Sequence, residues 1–203
     1  MDNKTPLIAL MGNPNSGKTA IFNLLTGMNQ KVSNYPGITV EQRRGNTQLT
    51  DNSTVEIMDM PGTYSLTPES LDEKIVAQQT LKWLNGIDRP AAIISVVDAG
   101  NLSRNLYITS QVMELGIPVI IALNMMDRVK NKNQNVDSKE LQKILGVHEV
   151  VPMSAREKWG INELQSESLN VITKANIEVS THIRLEMPKE IEEIISPISE
   201  FLY

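Results

Sequence analysis

Residues 7–26 read LIALMGNPNSGKTAIFNLLT, and this stretch decides the fold. It opens with an apolar run of strand length, Leu7 to Met11, and passes through Gly12-Asn13-Pro14-Asn15-Ser16-Gly17-Lys18-Thr19. It then continues from Lys18 to Thr26 with Ile21, Leu24 and Leu25 at i, i+3 and i+4, the spacing of an inward helical stripe. The central octet matches G-x-x-x-x-G-K-[ST], and a strand before it with a helix after it is the context in which that pattern cradles phosphate. Gly12 and Gly17 let the backbone curl so that N–H groups point inward, where the helix start adds its positive dipole end. Lys18 is suited to neutralise β- and γ-phosphates and Thr19 to offer its hydroxyl to Mg²⁺, with Asn13, Pro14, Asn15, Ser16 and Ala20 completing the contact set. The loop alone does not tell ATP from GTP, nor a hydrolase from a kinase.

Outward from this unit, apolar runs of strand length alternate with segments of helical spacing. The strands expected are Val55 to Met58, Ala91 to Val97, Val119 to Leu123 and Val150 to Met153. Helices are expected over Leu71 to Leu84, Leu102 to Leu115, Ser138 to Leu145 and Ile161 to Lys174. Near-continuous hydrophobicity suits strands buried on both faces, so the expected fold is α/β, a mostly parallel sheet with helices on both faces. One antiparallel strand, Thr39 to Leu49, is expected to pair with Val55 to Met58 through the turn Asp51-Asn52-Ser53. The polar run from Lys130 to Asn135 reads as a surface loop.

Composition narrows the function. The 203 residues are 40% apolar and 21% charged, enough for one full-sized core. Cysteine is absent, which excludes a disulfide framework, thiolate metal sites and a cysteine nucleophile. A net charge of −5 argues against nucleic acid as a broad partner, because a phosphate backbone calls for a basic surface. No run of about 18 apolar residues is present, so a soluble, cytosolic piece is expected. His148 and His182 have no carboxylate at ligand spacing, and the ten methionines read as core filler. Trp83 and Trp159 read as packing or base-edge residues.

Asp59-Met60-Pro61-Gly62 ends the strand that begins at Val55, 41 residues beyond Lys18, at the same carboxyl edge as the phosphate loop. Asp59 is the expected second-strand ligand of Mg²⁺ through water, and Gly62 lets its N–H approach a γ-phosphate. Between the two motifs, Gly37, Ile38 and Thr39 lie in a segment rich in turn formers. Thr39 is expected to bring a hydroxyl to Mg²⁺ and an N–H to the γ-phosphate, contacts that hydrolysis would release. β-Branched preference at a strand entry would account for Thr39 equally well.

Asn124-Met125-Met126-Asp127 follows another strand, and Asp127 is placed to accept from N1–H and the 2-amino group of guanine. Adenine carries neither donor, and a buried carboxylate left unpaired makes the discrimination about 10⁴ or more. Ser154-Ala155-Arg156, at the end of the next strand, is expected to offer a backbone N–H to guanine O6. The pair of motifs points to GTP. Met125 stands where lysine is more usual; it keeps an apolar stem but lacks the ammonium, so weaker binding and faster exchange are expected. Position 63 is Thr63 where many regulatory GTPases keep a glutamine that orients water, so intrinsic hydrolysis is expected to be slow.

The strings GNPNSGKTAIFNLLTG, NYPGITVE, DMPGTYSL, VVDAGNLSRNLYIT and LGIPVIIALNMMD together resemble the cytosolic G domain of the ferrous iron transport protein B family. The resemblance covers about residues 5 to 175 and implies a Ras-like GTPase at the amino end of a bacterial inner-membrane Fe²⁺ transporter. It assigns residues 1–176 to the G domain. Residues 177–203 become a linker and the first helix of a helical domain, striped by Ile191, Ile194, Ile195, Ile198 and Leu202, in a chain cut from a longer one. It further implies K⁺ as a stimulating ion, held partly by Asn15 and by carbonyls near Asn34 and Tyr35, where a fixed cation stabilises γ-phosphoryl charge. As a turn former in a loop that favours Asn and Pro, Asn15 needs no such role. The catalytic set under this reading is Asn15, Lys18, Thr39 and Gly62. Glu190, Glu192 and Glu193 suit a solvated helix start better than a metal site. The partners implied are GTP and the membrane-embedded remainder, with no nucleic acid and oligomerisation left open. An assembly-type GTPase acting on RNA or the ribosome is the alternative, and it would require a basic appendage. A GTP sensor whose hydrolysis hardly matters is a third.

Overall fold

The computed structural model describes residues 5–27, 30–35, 40–131 and 135–175. Seven strands form one sheet: β1 (Leu7–Gly12), β2 (Gln30–Asn34), β3 (Glu41–Gln48), β4 (Thr54–Asp59), β5 (Ala92–Asp98), β6 (Val119–Asn124) and β7 (Glu149–Pro152). Their order is β2-β3-β4-β1-β5-β6-β7. The five strands from β4 to β7 are parallel, and β3 and β2 add antiparallel at one edge. The helices are α1 (Lys18–Thr26), α2 (Leu71–Leu84), α3 (Leu102–Met113), α4 (Met126–Asn131), α5 (Ser138–Leu145) and α6 (Ile161–Ala175).

Alternation along β1 divides the core into two layers, as the period of two requires. Ile8 and Leu10 face α1 and α6, meeting Ile21, Phe22, Leu25, Leu164 and Val171. Leu7, Ala9 and Met11 face the opposite side, with Val76 and Trp83 of α2 and Ile108 and Val112 of α3. Both layers are buried, which explains why the central strands carry so few polar residues. The expected hairpin turn is present: Asn52 adopts φ 64, its N–H donates to Leu49 O at 2.9 Å, and Asp51 Oδ1 accepts from Ser53 N at 2.8 Å.

Two elements differ from the sequence expectation. β2 is an additional strand, pairing Gln30–Asn34 with Gly45–Glu41, and it is a solvent-facing edge. Lys130 and Asn131 close the short helix α4 rather than opening a loop. The expected last helix, Lys189 to Tyr203, lies outside the described residues, as do Gly37, Ile38 and Thr39.

The topology places the site. β1 lies between β4 and β5, and the chain leaves it for the β4 side while later strands add on the β5 side, so the crevice opens at the carboxyl end of β1. Register aligns the neighbouring strand ends there: Leu10 with Asp59, Gly12 with Val96, and Asp98 with Asn124.

Candidate nucleotide site

The phosphate loop runs from the end of β1 into α1. Gly17 sits at the helix N-cap with φ 92, and no side chain caps the helix, nor does its first turn carry an acidic residue. Those first-turn N–H groups therefore remain available to an anion. A Cβ on Gly17 would run into Asn124 Nδ2, so glycine is required by both its dihedral and its neighbour. Ser16 Oγ and Asn13 Oδ1 are buried without a hydrogen-bond partner, two polar atoms that a polar ligand would satisfy. Asn13 Nδ2 is already engaged, donating to Arg104 O at 3.1 Å. Asn15 takes φ 64 and leaves its side chain exposed, while Ala20 is exposed on the first turn of α1.

Lys18 and Asp59 meet directly, Nζ to Oδ1 at 3.0 Å, although both are 8% exposed. Thr19 Oγ1 lies 3.5 Å from Asp59 Oδ2. A hydroxyl and a carboxylate at this spacing beside a phosphate cradle are the hard oxygen donors that Mg²⁺ takes, so the residues present fit that ion.

Past Asp59 the chain folds against the loop. Met60 is buried and points into the core, where its sulfur accepts from the Tyr35 hydroxyl at 3.6 Å, so its side chain is removed from any phosphate. Burial pushes the Tyr35 phenol up to about 12, with the nearby Arg44 charge opposing and Asp59 adding to the rise. Half-buried Pro61 leads to Gly62, which approaches Pro14 so closely that a Cβ would stand 3.0 Å from its Cα. Thr63 is buried, its N–H donating to Gly12 O at 3.2 Å and its hydroxyl to Ser65 O at 2.6 Å.

At the far end of the crevice, Asn124 joins three loops. Its Nδ2 donates to Ser16 O at 2.9 Å and its Oδ1 accepts the Ala155 N–H at 2.9 Å. Asp127 is 6% exposed and its Oδ1 accepts from Ser154 Oγ at 2.8 Å, which fixes the carboxylate plane. The side chain of Ser154 was not anticipated in this role. Of the expected guanine O6 donors, the Ser154 and Ala155 N–H groups are bonded within the protein, to Trp159 O and Asn124 Oδ1. Arg156 is exposed. Met126 belongs to the core. Met125 has φ 63, its methyl lies beside Gly17, and its sulfur accepts from Arg128 at 3.2 Å.

The remaining residues singled out by sequence lie elsewhere. Trp83 is fully buried in the core, and Trp159 stacks under Lys130, whose Nζ is 4.7 Å from the ring centroid. His148, just before β7, donates its N–H to Val119 O, and burial pushes its imidazole below the ordinary value. Among the described residues no helix is long and apolar enough to cross a membrane, and no three acidic or histidine side chains converge as metal ligands.

A phosphate loop at the switch point of this sheet, an aspartate at the end of the neighbouring strand and an N-x-x-D corner beyond it define a P-loop domain of Ras-like GTPase fold. The chain belongs to the ferrous iron transport protein B family, whose model matches residues 6–168. The Fe(2+) transporter FeoB of Escherichia coli K12 is 43% identical over 176 residues, which cover 85% of this chain and 22% of that protein. A Porphyromonas gingivalis protein, Fe(2+) transport protein A/Fe(2+) transporter FeoB fusion protein, is 40% identical over 193 residues, 95% of this chain and 22% of that one. This chain therefore spans about a fifth of the length of those relatives. Among solved structures, the cytosolic domain of T. maritima FeoB in its GMPPNP form matches with TM-score 0.83 at 34% identity, covering 98% of this chain and 74% of that one. A GDP-bound mutant of S. thermophilus NFeoB matches with TM-score 0.81 at 41% identity, covering 98% and 72%.

Proposed function

We propose that this domain binds GTP and GDP with Mg²⁺, hydrolyses GTP slowly, and serves as the nucleotide switch of a bacterial Fe²⁺ transporter, on the cytoplasmic side of the membrane. The observation that carries the reading is the corner built by Asn124, Asp127 and Ser154. A buried carboxylate oriented by a serine hydroxyl, beside an Asn124 bonded to the phosphate loop, is matched by the adjacent N1–H and 2-amino donors of guanine, a pair that adenine lacks. The solved relatives in GDP and GMPPNP forms support the same ligand class.

Lys18 and the uncapped first turn of α1 would hold the β- and γ-phosphates, with Thr19, Asp59 and Thr39 as the candidate Mg²⁺ ligands. The ion supplies charge neutralisation on the phosphoryl oxygens. Thr63, in the position after the sensing Gly62, has its hydroxyl committed to Ser65 O, so it does not orient water. This supports slow intrinsic turnover. Asn15, exposed at the loop's outer rim, is the candidate K⁺ ligand. GTP turnover compared in KCl and NaCl, with and without Asn15→Ala, tests the ion: stimulation by K⁺ that the substitution abolishes is expected, and four equal rates would remove K⁺ from the account. Beside the phosphate loop, Met125→Lys is expected to slow nucleotide dissociation by adding a cation near Gly17; an unchanged or faster rate would contradict this.

A further inference from the structure

The segment that follows Gly62 is held down on α3 by side chains that neither the phosphate loop nor the base corner uses. Arg104, in the first turn of α3, places its guanidinium carbon 4.1 Å from the centroid of the Tyr64 ring. Two turns further on, Gln111 Oε1 accepts the Leu66 N–H at 2.8 Å, while its Nε2 donates to the Tyr107 hydroxyl at 3.3 Å. Arg104, Tyr107 and Gln111 stand at i, i+3 and i+7, so they form one stripe along the helix. The carbonyl of Arg104 accepts from Asn13 Nδ2. One residue thus grips the phosphate loop through its backbone and the segment after Gly62 through its side chain. Upstream, the Thr63 N–H is bonded to Gly12 O, and Gly62 is pressed against Pro14.

A glycine that senses a γ-phosphate does so through its backbone N–H, so the contact is strong only if the segment is already ordered when the phosphate arrives. Any cost of ordering it would fall on the triphosphate, because a diphosphate offers Gly62 nothing to touch. We propose that Arg104 and Gln111 are positioning residues, an α3 seat that preorganises Gly62 to Leu66 and thereby sets how strongly the site prefers GTP over GDP. The proposal rests on the guanine-nucleotide reading above. It also gives a task to the stretch VVDAGNLSRNLYIT (residues 96–109), which the phosphate and base contacts do not use and which contains both Arg104 and Tyr107.

The test measures affinities of the whole 203-residue chain for GDP and for a non-hydrolysable GTP analogue, by displacement of a fluorescent guanine nucleotide. Arg104→Ala and Tyr64→Ala are each expected to weaken the GTP analogue about two- to five-fold, the size of one exposed cation–π contact, with GDP unchanged. Tyr64→Phe keeps the ring and is expected to behave as the parent. The double variant is expected to lose no more than either single one, since both remove the same contact. Both side chains are exposed, so the fold is retained. Equal losses for the two nucleotides, additive losses, a Phe variant as weak as the Ala variant, or no change would each overturn the seat. A parent chain that binds neither guanine nucleotide would instead overturn the reading beneath it, and the seat with it.

Discussion

Asp127 has one carboxylate oxygen held by Ser154 and is largely shielded from water, and under the proposed function it is the group that selects the base. Exchanging that carboxylate for an amide replaces an acceptor with a donor. Asp127→Asn is therefore expected to lower affinity for GDP by about 10³-fold while raising it for xanthosine diphosphate, whose C2 oxygen welcomes the new N–H₂. Displacement by the two nucleotides, measured side by side, checks this. Tyr35 presents a second residue-scale prediction. Its phenol is raised from 10.0 to about 12 by burial, so the fold favours the neutral form. The stabilisation is complete below pH 10, where unfolded tyrosine also keeps its proton, and it is lost as pH rises towards 12. Tyrosinate absorbance is expected to show one late-titrating group that Tyr35→Phe abolishes, together with a flatter alkaline stability profile.

At the scale of elements, α2 and α3 are tied at their carboxyl ends by a single side chain. Arg89 donates to Trp83 O at 3.2 Å, which also accepts the Gly86 N–H, and to Leu115 O and Gly116 O at 3.2 and 2.9 Å, bridging the two helix ends. Arg89 is itself exposed, which keeps the contribution modest. Arg89→Ala is expected to cost about 1 kcal/mol and to lower the Tm by about 2–4 °C with guanine-nucleotide affinity intact, read by thermal unfolding and displacement. The elements also show what a sequence can disclose. β1 and α1 were legible because strand, loop and helix follow one another within twenty residues and the loop has its own signature. β2 was not: QKVSN holds one apolar residue, Val32, and that residue is 58% exposed, so an edge strand made by pairing to β3 left no periodic signal. α4 was hidden in the same way, six residues ending in a polar run. In the site, Lys18, Asp59, Asn124 and Asp127 were recoverable from spacing. The contacts of Ser154 with Asp127, Tyr35 with Met60 and Arg104 with Tyr64 were not, because each joins segments 25 or more residues apart that only the sheet order brings together.

For the whole molecule, the phosphate loop, Asp59, Asn124 and Asp127 stand at the carboxyl end of the sheet, where five parallel strands end and the order of connections reverses. Asn124 links the parts of that end: its two hydrogen bonds join the phosphate loop at Ser16 to the segment after β7 at Ala155. Whether this end of the sheet selects guanine nucleotides is decided by competition against a bound fluorescent GDP in the presence of Mg²⁺. GDP and GTP are expected to displace the probe at concentrations about 10⁴-fold or more below those of ADP and ATP. Adenine nucleotides that displace it as readily as GDP would contradict the account.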